Sequence, residues 1–285
     1  MINFHPVQPA RRDPSVRSPD PSLRETFDQA ADFYLAARPT YPDELFDDLI
    51  ELCGLGDQHR LVEIGAGPGT ATLPLAQRGH KITALEPGAA LAARAQQTLS
   101  RHPRVEVINT NFENWHPPKD DRPDVIYAAN AWHWVDPAMK WAKTADLLAP
   151  TGQLAVFDAG HAFPADFDPF FAEIQSTYAQ LGRRMAMWPP TPPEELPDPT
   201  PDFEATGQFS VDAVRRYVWA TEYDAERYIN LLRTFSDHIA MTQDEQTHLF
   251  TAVRRLVANR PRGLITRHWI STLVIAHPRS PDPRP

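Results

Sequence analysis

The run Leu61-Val62-Glu63-Ile64-Gly65-Ala66-Gly67-Pro68-Gly69-Thr70 constrains this chain more than any other stretch. An apolar segment of strand length ends in glycines at alternate positions, and a segment of helix length follows. Glycine permits a sharp backbone turn and leaves no Cβ in the path of an approaching ligand. Such a strand–turn–helix unit suits an open α/β sheet, where ligands sit beyond the carboxyl ends of the strands. The spacing here is G-x-G-x-G, with Pro68 inside it. A dinucleotide site would carry its third glycine one position later, so that the helix packs closely beneath a pyrophosphate. The turn therefore argues against a nicotinamide oxidoreductase, which shares the sheet.

Around this turn, strand-length apolar runs recur at Arg60–Ile64, Lys81–Leu85, Val105–Asn109, Asp124–Ala129 and Gln153–Asp158. Helical spacing fills the gaps at Thr70–Arg78, Ala89–Ser100 and Ala138–Leu148, and two helices, Thr26–Ala37 and Pro42–Leu52, come first. Runs that are continuously apolar rather than alternating are those of strands buried on both faces. The fold class is α/β: a doubly wound, Rossmann-like, mostly parallel sheet with N-terminal helices. Beyond Gly160 the alternation stops, and about 161–212, rich in aromatic, Met and Pro residues, reads as an inserted helical and loop cap. A strand at Val214–Thr221, helices Ala225–Phe235 and Gln243–Asn259 (an insertion of about 224–260) and a last strand at Leu264–Ala276 follow. The two late strands lack a parallel crossover and are expected to pair as an antiparallel edge. Residues 26–277 form the expected domain, with 1–25 read as a disordered Pro-rich leader and 278–285 as a disordered tail.

Composition bounds the function. At 285 residues with 42% hydrophobic and 23% charged, the chain can build one sizeable globular core. No apolar run approaches the roughly 20 residues that cross a bilayer, so no membrane partner is expected. A net charge of −9 disfavours a protein that binds by neutralising phosphates, and nucleic acid is not the expected partner. The single cysteine, Cys53, has no partner for an internal disulfide, reads as a structural thiol and suits a cytoplasmic home.

Glu86 ends the second strand run, twenty-one residues after Gly65. An acid at this place can accept hydrogen bonds from both ribose hydroxyls of an adenosine. Together with the glycine turn, it points to an adenosine-bearing cofactor.

Val62–Thr70 in the form VEIGAGPGT, followed by ALEPG at Ala84–Gly88, resembles the first two motifs of class I S-adenosylmethionine-dependent methyltransferases. Tyr34 followed by Arg38-Pro39-Thr40-Tyr41-Pro42, and Ala131-Trp132-His133-Trp134-Val135-Asp136 after the fourth strand, resemble the type-11 branch, which includes trans-aconitate-methyltransferase-like proteins. The likeness runs from Phe27 to Ala276 and is weakest across the cap. It implies S-adenosyl-L-methionine as cofactor and no metal. Gly65, Ala66, Gly67 and Gly69 would line its methionine and ribose, with Glu63 near the amino group and Glu86 and Pro87 at the ribose. Asn111 and Phe112 would meet the adenine, Asn111 standing where relatives carry Asp; an amide oxygen can still accept from the adenine amine. Asn130 and Ala131 would face the sulfonium. Tyr34 and Arg38 would close over the cofactor, and Arg38 fits either the methionine carboxylate or an ion pair with Asp43 or Glu44.

Methyl transfer from a sulfonium requires chiefly a positioned nucleophile and exclusion of water. His133 is placed to act as a base toward the acceptor or to form the pocket wall between two tryptophans. Tyr34, named with it as a catalytic candidate, and His161 would touch the acceptor. Phe163, Phe167, Phe170, Phe171, Tyr178, Met185, Met187 and Trp188 make the cap apolar, whether as core packing or as pocket. The partner expected is a small hydrophobic or aromatic acceptor, such as an indole-type nucleophile of bacterial secondary metabolism. Alternatives are a small carboxylate of the trans-aconitate type, or a relative that binds the cofactor without methylating.

Overall fold

The computed structural model describes residues 39–118, 121–183, 188 and 190–279. The expected helix Thr26–Ala37, with Tyr34 and Arg38, lies outside these residues, as do Met185 and Met187. The chain first forms α1 (Asp43–Leu52) and then alternates as β1 (Arg60–Ile64), α2 (Thr72–Gln77), β2 (Lys81–Leu85), α3 (Ala89–Thr98), β3 (Val105–Ile108), β4 (Val125–Ala129), α4 (Lys140–Leu147) and β5 (Gln153–Phe157). A short strand, β6 (Gly160–Ala162), leads into α5 (Phe170–Glu173), α6 (Gln175–Gln180) and α7 (Thr200–Glu204). The long β7 (Phe209–Tyr223), helices α8 (Ala225–Leu232), α9 (Ser236–Ile239) and α10 (Gln243–Ala258), and β8 (Ile265–Pro278) complete it.

The five strands from β1 to β5 pair in parallel in the order β3-β2-β1-β4-β5. On the far side of β5 lies β8, antiparallel, and its whole length pairs with β7 through fourteen partners from Phe209↔Pro278 to Tyr223↔Ile265. The two late strands thus form the antiparallel edge that their lack of a crossover implied. The sequence reading missed β6. It pairs with His268–Ile270 while β5 pairs with Val274–Ala276, so β6 continues β5 along one side of β8 after a break at Asp158-Ala159. Gly160–Ala162 is too short to show strand periodicity of its own. Pro278 and Arg279, assigned by composition to a disordered tail, instead belong to the fold: Pro278 closes β8, and the Arg279 N–H donates to the Gln208 carbonyl at 2.8 Å.

Strand residues alternate between two cores, as the pleat requires. On one face Leu61, Ile82, Val125, Tyr127, Phe157, Leu273 and Ile275 pack beneath α1, α2 and α3. On the other, Val62, Ile64, Leu85, Ile126, Leu154 and Val274 pack with Phe112, Trp132 and the α4 side. A third core joins Phe170, Phe171 and Tyr178 to α8, α10 and the Ile265 end of β8. Both long helices there start from side-chain caps, Asp224 on α8 and a Thr242/Glu245 capping box on α10. Among the described residues no helix is long and apolar enough to cross a membrane.

Phe46 ties α1 to the sheet, fully buried and edge-on to Tyr41 and Phe157 at centroid distances of 6.2 and 6.1 Å. Truncating such a ring removes its transfer energy and leaves a cavity. Phe46→Ala is expected to lower stability by about 3–5 kcal/mol in equilibrium denaturant unfolding; a loss below about 1 kcal/mol would contradict this packing.

Candidate functional site

The sheet order reverses at β1, with β2 on one side and β4 on the other. This is the switch point at which crevices open in doubly wound folds. The glycine turn lies there. Gly65 and Gly67 both adopt positive φ, 66° and 57°. At Gly65 a Cβ would sit 2.6 Å from the Ala131 Cβ, so packing against the loop after β4 excludes a side chain. At Gly67 a Cβ would meet nothing within 4 Å, so the backbone there borders open space.

Glu86 binds this turn directly. Its carboxylate accepts the Gly67 N–H at 2.7 Å through Oε2 and the Gly88 N–H at 2.8 Å through Oε1. The Asn109 amide after β3 donates to the Glu86 and Pro87 carbonyls at 2.8 and 3.0 Å. One buried carboxylate and one amide thus tie together the loops after β1, β2 and β3.

Glu63 lies on β1 two residues before Gly65, 1% exposed, and its Oε2 accepts hydroxyl hydrogen bonds from Thr72 at 2.5 Å and Tyr127 at 2.8 Å. Burial pushes its carboxyl up from an ordinary 4.5 to about 7, against the lowering effect of those two hydroxyls. Asn130, just past β4, holds a left-handed φ of 56°, a conformation rare outside glycine that Asn tolerates best. Its side chain enforces it: Nδ2 donates to the Tyr41 hydroxyl at 2.8 Å and Oδ1 accepts the Ala159 N–H at 2.9 Å. The end of β4 is thereby fixed to the β5–β6 break and to the segment before α1.

Glu63, Gly65, Ala66, Gly67 and Asn130 line a solvent-open cleft together with Pro39, Tyr41, Thr70, Ala159 and Trp269. Of the remaining expected residues, Ala131 backs Gly65, and Gly69 packs toward Leu99. Asn111 spends its amide oxygen on the Asn114 N–H at 3.0 Å. Phe112 is a core side chain, 2% exposed, with Lys143 Nζ 5.4 Å from its ring centroid. His133 stands on an exposed single turn beside Trp134, outside the lining of the cleft, while Trp132 is buried. Tyr34 and Arg38 lie outside the described residues, though Pro39 and Tyr41 bring the chain that follows them to the cleft. Cap side chains Phe163, Phe167 and Trp188 stack edge to face at 5.5–5.9 Å and pack on the third core. His161 sits on β6, its Nε2 accepting from Arg267 Nη2 at 2.7 Å.

Sequence reasoning missed Thr70, Ala159 and Trp269 as lining residues and quoted Tyr41 only as part of a motif. Trp269 carries no sequence signal, because its position depends on the register of β8. Among the described residues no group of three His, Cys, Asp or Glu is placed to hold a metal ion.

Residues 61–152 match the family described as Methyltransferase domain. An uncharacterized methyltransferase of Mycobacterium tuberculosis is 33% identical over 131 residues, 46% of this chain and 51% of that protein. A trans-aconitate 2-methyltransferase of Delftia acidovorans is 33% identical over 113 residues, 38% of this chain and 41% of that protein. The matched part of the chain thus spans about half the length of these relatives or less. Among solved structures, one named as a type II methyltransferase from Anaeromyxobacter dehalogenans superposes with a TM-score of 0.60 at 23% identity, covering 84% of this chain and 97% of that one. The YcgJ protein of Bacillus subtilis gives 0.51 at 17%, covering 84% and 99%. These two share the fold of the present chain.

Glu63 supplies a test independent of any ligand. Its folded-state value near 7 lies above the unfolded 4.5, so its contribution to stability is full below about pH 4.5 and is lost as pH rises through 7. Glu63→Gln is expected to flatten that part of the pH–stability profile, removing a fall of roughly 2–3 kcal/mol between those limits. Denaturant midpoints measured across the range check it, and an unchanged slope in the variant would show that Glu63 titrates alike in the folded and unfolded states.

Proposed function

We propose that this chain, whose residues 61–152 are a methyltransferase domain of the class I Rossmann-like kind, transfers a methyl group from S-adenosyl-L-methionine to a small hydrophobic or aromatic acceptor. The observation that carries the reading is the buried Glu86 carboxylate held against the Gly67 amide at the switch point of the sheet. The residues present fit the cofactor. Gly67 leaves its side of the cleft open, and the buried Glu86 carboxylate lies beside it, where ribose hydroxyls would donate to it. Glu63 and Asn130 line the same cleft, where an amino group and a sulfonium would be held.

Bound there, the cofactor supplies an electrophilic methyl on sulfur. The protein's own part is to orient and to exclude water. The carboxylate of Glu86 fixes one end of the ligand, and the clamp of Asn130 on Tyr41 and Ala159 keeps the loop after β4 in one conformation. Ala66 and Ala131 give small surfaces close to the turn, and Gly69 and Pro87 shape the flanking loops. A second reading, O-methylation of a trans-aconitate-like carboxylate, draws support from relatives so named.

Calorimetry with S-adenosylhomocysteine tests the first step. Glu86→Ala should weaken binding at least tenfold, the value of one charge-assisted hydrogen bond of about 1.5–3 kcal/mol; undiminished affinity would remove Glu86 from the site. His133, exposed and outside the lining, is not placed to take a proton from an acceptor in the cleft. His133→Asn should then change kcat by less than about tenfold and preserve the pH–rate profile, whereas a loss on the order of 10²–10⁴ with an abolished acidic limb would make it the base.

A further inference from the structure

Trp269, a core side chain only 1% exposed, borders the cleft from β8, with β4 and β5 lying between it and the glycine turn of β1. Register sets His161 of β6, Trp269 of β8 and Trp219 of β7 in one row across the sheet, with Trp219 stacked near-parallel on Trp269 at 6.5 Å. Two residues along β8 to either side, on the same face, stand Ser271 and Arg267.

This face is rich in donors. The indole N–H groups of Trp269 and Trp219 and the Ser271 hydroxyl are buried and have no hydrogen-bond partner among the described residues. An indole N–H can only donate, and a buried donor left unmatched destabilises a fold, so such a group signals a missing acceptor atom. Arg267, 2% exposed, adds positive charge beside them. Its guanidinium lies 5.1 Å from the Trp269 and Phe171 ring centroids and donates to the Tyr228 hydroxyl at 2.8 Å and to His161. The acidic residue among the described cleft lining, Glu63, stands on β1 at the other side of the intervening strands.

We propose that the acceptor is an aromatic carboxylic acid, its ring laid against Trp269 and its carboxylate received by the Trp269, Trp219 and Ser271 donors in the field of Arg267. The aromatic surface selects a flat ring, since offset or edge-on ring pairs add to area burial. The donors and the guanidinium select oxygen atoms with negative charge. This inference rests on the methyltransferase reading, but concerns strands that the glycine turn does not touch.

The test is calorimetric titration of the full chain with cinnamate, methyl cinnamate and trans-aconitate, with and without saturating S-adenosylhomocysteine. Cinnamate is expected to bind roughly tenfold or more tighter than its neutral ester. In Trp269→Phe and Trp219→Phe, each keeping a ring but losing the N–H, that preference should shrink severalfold, and in Arg267→Gln it should vanish; near-UV circular dichroism verifies that each is folded. Equal binding of acid and ester to the wild-type chain, preference for trans-aconitate, or an acid preference that survives both tryptophan variants overturns the proposal. Failure of S-adenosylhomocysteine to bind overturns the cofactor reading instead, and the titrations without it still decide the acceptor site.

Discussion

The architecture hangs on β8. At one end its Leu273 and Ile275 are part of the core beneath α1 and α2, and at the other its Ile265 and Trp269 belong to the core of the cap. Between these ends it is paired on both sides, with β5 and β6 on one and β7 on the other. An antiparallel strand so placed cannot slip by one residue without turning its buried row to the opposite face. The register that holds the two cores together therefore also holds Trp269 at the cleft.

The cofactor side of the cleft depends on a different device. Loops after parallel strands carry unsatisfied backbone amides, and an acid placed among them gains charge-assisted hydrogen bonds. Glu86 uses this to bind the Gly67 and Gly88 amides, so the turn is set before any ligand arrives. Asn130 plays the matching part after β4, where its left-handed backbone is held by two side-chain hydrogen bonds. Strain of this kind persists only where surrounding contacts over-determine it, and such positions cluster at ligand sites.

Buried polar groups in the cap show the same economy. Asp237 accepts from His238 Nδ1 at 2.8 Å, which leaves His238 Nε2 to accept from the Tyr178 hydroxyl at 2.8 Å. The hydroxyl of Tyr228 accepts from Arg267. The aromatic stripe that the sequence displays from Phe163 onward is thus largely consumed in packing and in these links, and the surface it leaves to the cleft comes from β8 rather than from the stripe itself.

The sequence alone determined the α/β class, the bounds of β1 and β2 to the residue, and the coincidence of glycine turn and Glu86, because all of these arise from local periodicity and turn chemistry within about 25 residues. It also implied the antiparallel pairing of the two late strands, since neither has a crossover. Tertiary structure decided the rest. Phe112 lies in the core and His133 on an exposed turn, although both stand at motif positions, because the burial of a loop residue is set by what packs over it. Trp269, Ala159 and Tyr41 meet at one cleft from positions more than 100 residues apart in the chain, and only strand register and the Asn130 clamp bring them there.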